Sequence, residues 1–150
     1  MNDPVEPRGA CPFNPAPLSF QVLGAAAAVE EHLDSALAQV GLSLAKFKVL
    51  SRLVEAGEAL PLGGLAEHCS CVRSNMTQLV DRLETEKLVE RVNDPTDRRS
   101  VRAALTAAGR ERQAEGFAVL ANAEREVCAR LSEADQADLT RLVQQLTRAL

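Results

Sequence analysis

The chain of 150 residues has no tryptophan, no tyrosine and only four phenylalanines. Aromatic residues are a large part of what strands pack with, so this poverty argues against a β-sandwich. Only two histidines are present, and neither stands in a recognisable triad setting. The sequence carries no phosphate loop and no zinc-protease helix, so no enzyme, catalytic residue or cofactor is expected. No apolar run approaches the roughly 20 residues that cross a bilayer. The most apolar stretch, residues 22–29, is far shorter, and no membrane partner is expected. The N-terminus lacks the basic-then-apolar order of a signal peptide, which makes the cytoplasm the expected location. Cysteine is sparse as well, at positions 11, 69, 71 and 128. In a cytosolic chain these read as reduced thiols, not as a disulfide framework.

Alanine and leucine dominate instead, which favours helices that pack closely through small residues. The length suits one domain with a real core. Net charge is -4, which looks wrong for a nucleic-acid binder, but the distribution is uneven. Residues 73–112 hold nine basic and seven acidic side chains, and the surplus of acid lies elsewhere. A local basic patch matters more for phosphate contact than the global sum, and so small a surplus predicts weak non-specific binding.

Residues 1–16 hold Pro4, Pro7, Pro12 and Pro15 and read as an extended or flexible tail. A long helix is expected over 17–40, with Pro17 in its first turn and Gly41 as its stop. Phe20, Leu23, Ala27, Leu33, Leu37 and Val40 are its apolar positions, and His32 falls on it. Ser43 caps a second helix that Gly57 ends. Residues 60–62 read as a short strand edge, and Gly63 and Gly64 open into a short helix.

The stretch 65–106 organises the rest. LAEHCS reads as that short helix, closed by a tight turn. A second helix, over 72–86, has Met76, Leu79, Val80 and Leu83 at three- and four-residue spacing, which makes one buried stripe. Its other face carries Arg73, Asn75, Thr77, Gln78, Asp81 and Arg82, side chains that can reach base edges and phosphates. LVERV and SVRAAL are strand-like, and NDPTDRR between them is a turn. Helix, turn, helix and an arginine-tipped hairpin make a winged helix-turn-helix, a reader of double-stranded DNA. Beyond it, Thr106 caps a long helix to about residue 131, with Phe117, Leu120, Val127 and Leu131 along one side. SEAD, from Ser132, opens a last helix whose apolar stripe of Leu139, Leu142, Val143, Leu146 and Leu150 needs a partner.

These residues resemble the DNA-binding core of the multiple antibiotic resistance regulator (MarR) family. The marks are LAEH before the turn, SNMTQLVDRLE, LVER, and DPTDRRSVRAALT at the wing. The last contains the family's Asp-x-Arg motif as Asp97-Arg98-Arg99. The resemblance extends more loosely over the flanking helices, residues 17–150. It implies a mainly α fold with a small β-hairpin wing: a winged helix-turn-helix core over 43–106, and dimerisation helices over 17–41 and 107–150. It also implies a homodimeric repressor of a pseudo-palindromic operator, with a small-molecule effector. Arg73, Ser74, Asn75, Thr77, Gln78, Arg82, Asp97, Arg98 and Arg99 are then the expected DNA contacts. The family usually has glycine where Lys87 stands, so either the helix ends differently here or the strain of a non-glycine C-cap is accepted.

Cys69-Ser70-Cys71, with His68 adjacent, admits two readings. Two thiols and an imidazole are soft metal ligands, but the family places buried aliphatics at the two cysteine positions, and cysteine packs well as a small buried residue. His68, Cys69 and Cys71 are therefore candidates for thiol or metal sensing, and His32 is a candidate for effector contact, because the resemblance places an effector pocket between the first helix and the DNA-binding core. Two alternatives keep the fold: a metal- or redox-responsive regulator acting through Cys69 and Cys71, and a winged helix that makes only protein contacts.

Overall fold

The computed structural model describes residues 17–69, 72–94 and 100–149. Its order is α1 (Leu18–Ala38), α2 (Leu44–Ala56), β1 (Leu60–Pro61), α3 (Leu62–His68), α4 (Arg73–Thr85), β2 (Val89–Asn93), β3 (Val101–Leu105), α5 (Ala107–Cys128) and α6 (Glu133–Ala149). The mainly helical fold with a small wing sheet is the one the sequence implies.

Local chemistry sets most boundaries. The Ser43 hydroxyl accepts from the Lys46 N–H at 3.3 Å and starts α2, and Gly57, at φ 68, stops it. The Asp34 carboxylate, near the end of α1, also accepts from the Leu44 N–H at 2.7 Å, which ties the two helices across their turn. α1 closes with the Leu42 N–H on Leu37 O and the Gly41 N–H on Ala38 O. Gly41 stands at φ 69 between them. That pair of bonds is the C-terminal motif in which the left-handed residue is normally glycine. α4 closes in the same way, with Leu88 on Leu83 O and Lys87 on Glu84 O. There the left-handed residue is Lys87, at φ 60. The helix keeps the left-handed stop, and the strain of a non-glycine residue is accepted.

Two boundaries stand apart from the sequence expectation. Gly63 and Gly64 lie inside α3, which starts at Leu62, because Pro61 supplies a fixed φ just before it and β1 ends there. α5 ends at Cys128, short of 131; its last turn tightens, with the Leu131 N–H on Cys128 O. The Gln136 amide of α6 then caps the carbonyls of Cys128 and Leu131 at 2.9 and 3.1 Å. Ser132 accepts from the Asp135 N–H at 3.2 Å and donates to its carboxylate, so the expected cap on α6 is present.

The sheet has the order β1-β3-β2, antiparallel throughout, with Arg91 opposite Ala103 and Leu60 on the other side of Ala103. Pro61 is tolerated because β1 is an edge. The core lies where α2, α3, α4 and the sheet meet. Leu50, Leu53, Leu65, Met76, Val80, Leu83 and Ala103 are at most 1% exposed, and each large side chain there contributes about 1.5–3 kcal/mol of burial.

The outer helices behave differently. Only the C-terminal half of α1 packs within the chain: Leu37 is buried, whereas Phe20 and Leu23 are exposed. In α5, the face on the core is Gly109, Gly116 and Ala123. The apolar row expected from Phe117 to Leu131 is exposed at both its ends. A Cβ on Gly116 would stand 2.8 Å from the Phe47 ring and 2.9 Å from Leu42, so the close approach of α5 to α2 requires glycine.

Candidate nucleic-acid interface

Met76, Val80 and Leu83 are fully buried and hold α4 against α2 and α3, so its opposite face is turned outward. Ser74, Asn75, Thr77, Gln78 and Arg82 are exposed there. They begin within the first turn, where a helix entering a major groove presents its base-reading side chains. Arg73 is the first residue of the helix. The N-cap is Val72, which provides no side-chain hydrogen bond and is 63% exposed. An apolar side chain at that edge is suited to a thymine methyl group.

The wing stands beside this face. β2 and β3 pair along five residues each, and the Asp94 N–H bonds Ser100 O at 3.1 Å, which extends the pairing past the last strand residues into the mouth of the turn. Asp97, Arg98 and Arg99, the expected wing contacts, lie outside the described residues, as does Cys71.

Two arginines that the sequence did not single out organise the wing. Arg102 of β3 donates from Nε to the buried Asp94 carboxylate at 2.6 Å and from Nη1 to Ala59 O at 3.3 Å. It thereby fixes the turn end of the hairpin to the loop before β1. Arg91 of β2 forks between two carboxylates of α4, Asp81 and Glu84, the latter at 2.8 Å. Its own backbone N–H also donates to Glu84 at 3.2 Å. The hydrogen bond that the guanidinium donates to Asp81, with the nearby charge of both carboxylates, outweighs partial burial and holds the guanidinium above its already high range. Asp81, which the sequence places with the DNA-facing residues, is thus engaged with the wing. Lys46 of α2 pairs with Glu86 and ties down the far end of α4.

Gly109 was also missed. A Cβ there would fall 1.9 Å from Leu88 O, so the start of α5 can lie on the strand backbone only with glycine at this position. The signal was available: a glycine in the first turn after the Thr106 cap is disfavoured unless something presses on it. The Thr106 hydroxyl accepts from the Gly109 N–H at 2.9 Å and lies 2.8 Å from Lys87 O. The Lys87 turn, the wing strand and α5 therefore share one joint.

The sensing candidates fall in two places. His32 of α1 is half-buried, with Nε2 3.4 Å from the Glu126 carboxylate of α5. It lines a cleft of about 270 Å³ with Ser35, Gln39, Asn122 and Glu126. His68 is exposed at the end of α3, its Nδ1 3.3 Å from Gly64 O. Cys69 is half-buried, packs on the core and lines a second cleft of about 340 Å³ with Phe47, Lys48, Ser51, Arg52, Glu55 and His68. Arg52 Nε in that cleft is buried and has no hydrogen-bond partner among the described residues. His32 does not join the Cys69 group.

Comparison with known proteins places this geometry. The MarR family model matches residues 42–101, from the end of the α1–α2 turn to the first residue of β3. Sco3205 of Streptomyces coelicolor, a MarR family transcriptional regulator solved in complex with DNA, superposes with a TM-score of 0.80 at 27% identity, over 98% of this chain and 93% of its own. A variant of MarR from E. coli, solved with operator DNA, shares the fold with a TM-score of 0.81 at 23% identity, over 91% of this chain and 99% of its own. The HTH-type transcriptional repressor Rv2887 of Mycobacterium tuberculosis is 30% identical over 131 residues, which cover 87% of this chain and 94% of the repressor. With a repressor matched along nearly its whole length and the family model spanning the helix-turn-helix and reaching the wing, this chain belongs to the MarR family of transcriptional regulators.

Proposed function

We propose that the chain, a DNA-binding transcriptional regulator, acts as a homodimeric repressor whose two α4 helices enter successive major grooves of a pseudo-palindromic operator. The observation that carries this reading is the α4 face of Ser74, Asn75, Thr77, Gln78 and Arg82, exposed on a helix whose other side is the core and flanked by the wing. Successive grooves on one side of B-DNA recur at about 34–36 Å, so two copies held at a fixed separation read two half-sites together. The apolar residues exposed on α1, α5 and α6 supply the surface for holding them: Phe20, Leu23, Phe117, Leu139, Leu142 and Leu146. A gel shift on the DNA flanking the protein's own gene, at stated salt and against a scrambled duplex, tests the reading. A retarded complex of one dimer per site is expected, and equal binding to both duplexes defeats it.

Release follows from a ligand that prefers a dimer geometry mismatched to DNA, since an effector acts only through its difference in affinity for two states. The cleft between α2 and α3 favours this mode, because a ligand there touches both the helix that packs on α5 and the helix that precedes α4. The same cleft supports the second reading, a metal- or redox-responsive regulator, because Cys69 and His68 lie on its wall. Titrating the reduced protein with zinc or copper(I) separates the two: a thiol-dependent loss of operator binding belongs only to the second.

A further inference from the structure

We propose that Arg91 is a positioning residue for operator recognition, tying the wing to the recognition helix so that both meet DNA as one body and screening two carboxylates from the phosphates. The inference rests on the DNA-binding reading above and adds a residue that touches no DNA itself.

Arg91 sits on β2, directly opposite Ala103 of β3. Its guanidinium leaves the sheet and grips Asp81 and Glu84, which lie one turn apart on α4. The Glu84 carboxylate is doubly held, by the Arg91 side chain at 2.8 Å and by the Arg91 backbone N–H at 3.2 Å. A planar fork bound at several points fixes direction as well as distance, which a single ammonium contact does not. The orientation of the wing strand relative to α4 is therefore set by this cluster.

The charges make a second argument. Asp81 is three and four residues beyond Gln78 and Thr77, on the same side of α4. An unpaired carboxylate there faces the region that phosphates would occupy and repels them. Asp81 and Glu84 are both exposed by more than a third, so water alone leaves their charge in place, whereas Arg91 neutralises it. Arg91 is itself 28% exposed and engaged on the α4 side. Its contribution to DNA binding thus passes through its partners.

The test uses the full-length protein and three variants: Arg91→Ala, Arg91→Lys, and the double variant Asp81→Asn with Glu84→Gln. Affinity is measured on operator and scrambled duplexes across a salt series, beside thermal stability and dimer content. The wild-type protein in the same titration isolates the underlying reading: if it does not prefer the operator, that reading fails first. Arg91→Ala is expected to lower the operator-to-scrambled ratio about tenfold, the size of a coupling between contacting residues, with the salt slope unchanged. Arg91→Lys restores part of the ratio. The double variant lowers the ratio as Arg91→Ala does, although it removes negative charge. A salt slope smaller by about one unit in Arg91→Ala would mean a direct phosphate contact and overturn the proposal. So would an unchanged ratio in Arg91→Ala, an unchanged or higher ratio in the double variant, or a loss explained by a smaller folded fraction alone.

Discussion

At the scale of single residues, two positions show how backbone conformation and close approach act on this chain. α1 and α4 end in the same hydrogen-bond motif, but one uses Gly41 and the other Lys87, at φ 69 and φ 60. The left-handed conformation costs a side-chain-bearing residue about 1–2 kcal/mol. Lys87→Gly is expected to recover about 1 kcal/mol by urea unfolding, less what the more flexible glycine loses in the unfolded chain. A drop in stability would show that the lysine side chain does something the left-handed turn does not account for. Gly109 is the opposite case, because its missing Cβ makes room for Leu88 O. Gly109→Ala is expected to destabilise by about 3 kcal/mol or more, beyond ordinary overpacking, since the obstacle is backbone and cannot swing aside. A wild-type melting temperature in that variant would mean that α5 shifts freely on the strand. In the wing, Arg99 is expected to enter the minor groove with Asp97 orienting it. Arg99→Ala should weaken binding by roughly 1–3 kcal/mol and lower the salt slope by about one, whereas Gln78→Ala on α4 relaxes sequence preference. Salt titrations on operator and scrambled DNA distinguish the two, and a wild-type slope in Arg99→Ala removes the wing arginine from the contact.

At the scale of elements, α6 is the informative one. No described residue of α6 is buried within one chain, and Leu139, Leu142, Val143 and Leu146 are 43–52% exposed along one face. A helix of this length is marginal in water by its own propensity, so it needs a surface to pack on. Its start is nevertheless well defined, through the Ser132–Asp135 cap and the Gln136 amide on the end of α5. The helix is thus aimed by its own chain and, in the proposed dimer, stabilised by a second copy. Deleting residues 132–150 is expected to leave the helix-turn-helix core folded, because that core uses nothing from α6, and to yield monomers that no longer bind the operator. Sedimentation of the truncated protein checks this; a stable dimer would place the interface elsewhere.

At the scale of the whole molecule, the two halves have different chemistry. The centre, from α2 to β3, buries its apolar residues within one chain and turns polar side chains outward. The outer helices leave many of theirs exposed, among them Phe20, Leu23, Phe117 and the α6 row. The joint between the halves includes Thr106 over the Lys87 turn, Gly109 on Leu88, Gly116 on Phe47, Gln113 donating to the Ser51 hydroxyl at 3.2 Å, and the Asp34 carboxylate accepting from the Leu44 N–H at 2.7 Å. Dimer geometry and recognition-helix geometry are linked through these groups, which is where an effector would have to act. The Cys69 cleft lies on the centre's side of this joint and the His32 cleft on the outer-helix side. In the proposed dimer, a ligand in either one would bear on the spacing of the two α4 helices.

Much of this was legible in the residues themselves. Periodicity placed the buried stripe of α4 at Met76, Leu79, Val80 and Leu83. Capping chemistry placed Ser43, Gly57, Thr106 and Ser132, and the order helix, turn, helix, hairpin came from turn residues and alternation. All of these depend on neighbours within a few positions, and a linear sequence displays such neighbours directly. The motif also marked Lys87 as the departure from glycine, and its φ of 60 carries that strain. Other features required the chain to be folded. Nothing local says that Arg91 grips Asp81 and Glu84, that Arg102 reaches Asp94 and Ala59, or that Gly109 lies against Leu88. Each pairs groups on different elements, and their meeting depends on how helix, strand and turn are oriented together. The same limit explains why the apolar row expected on α5 is half solvent-facing: periodicity reports that a face is apolar, and only tertiary packing decides whether the same chain or another covers it.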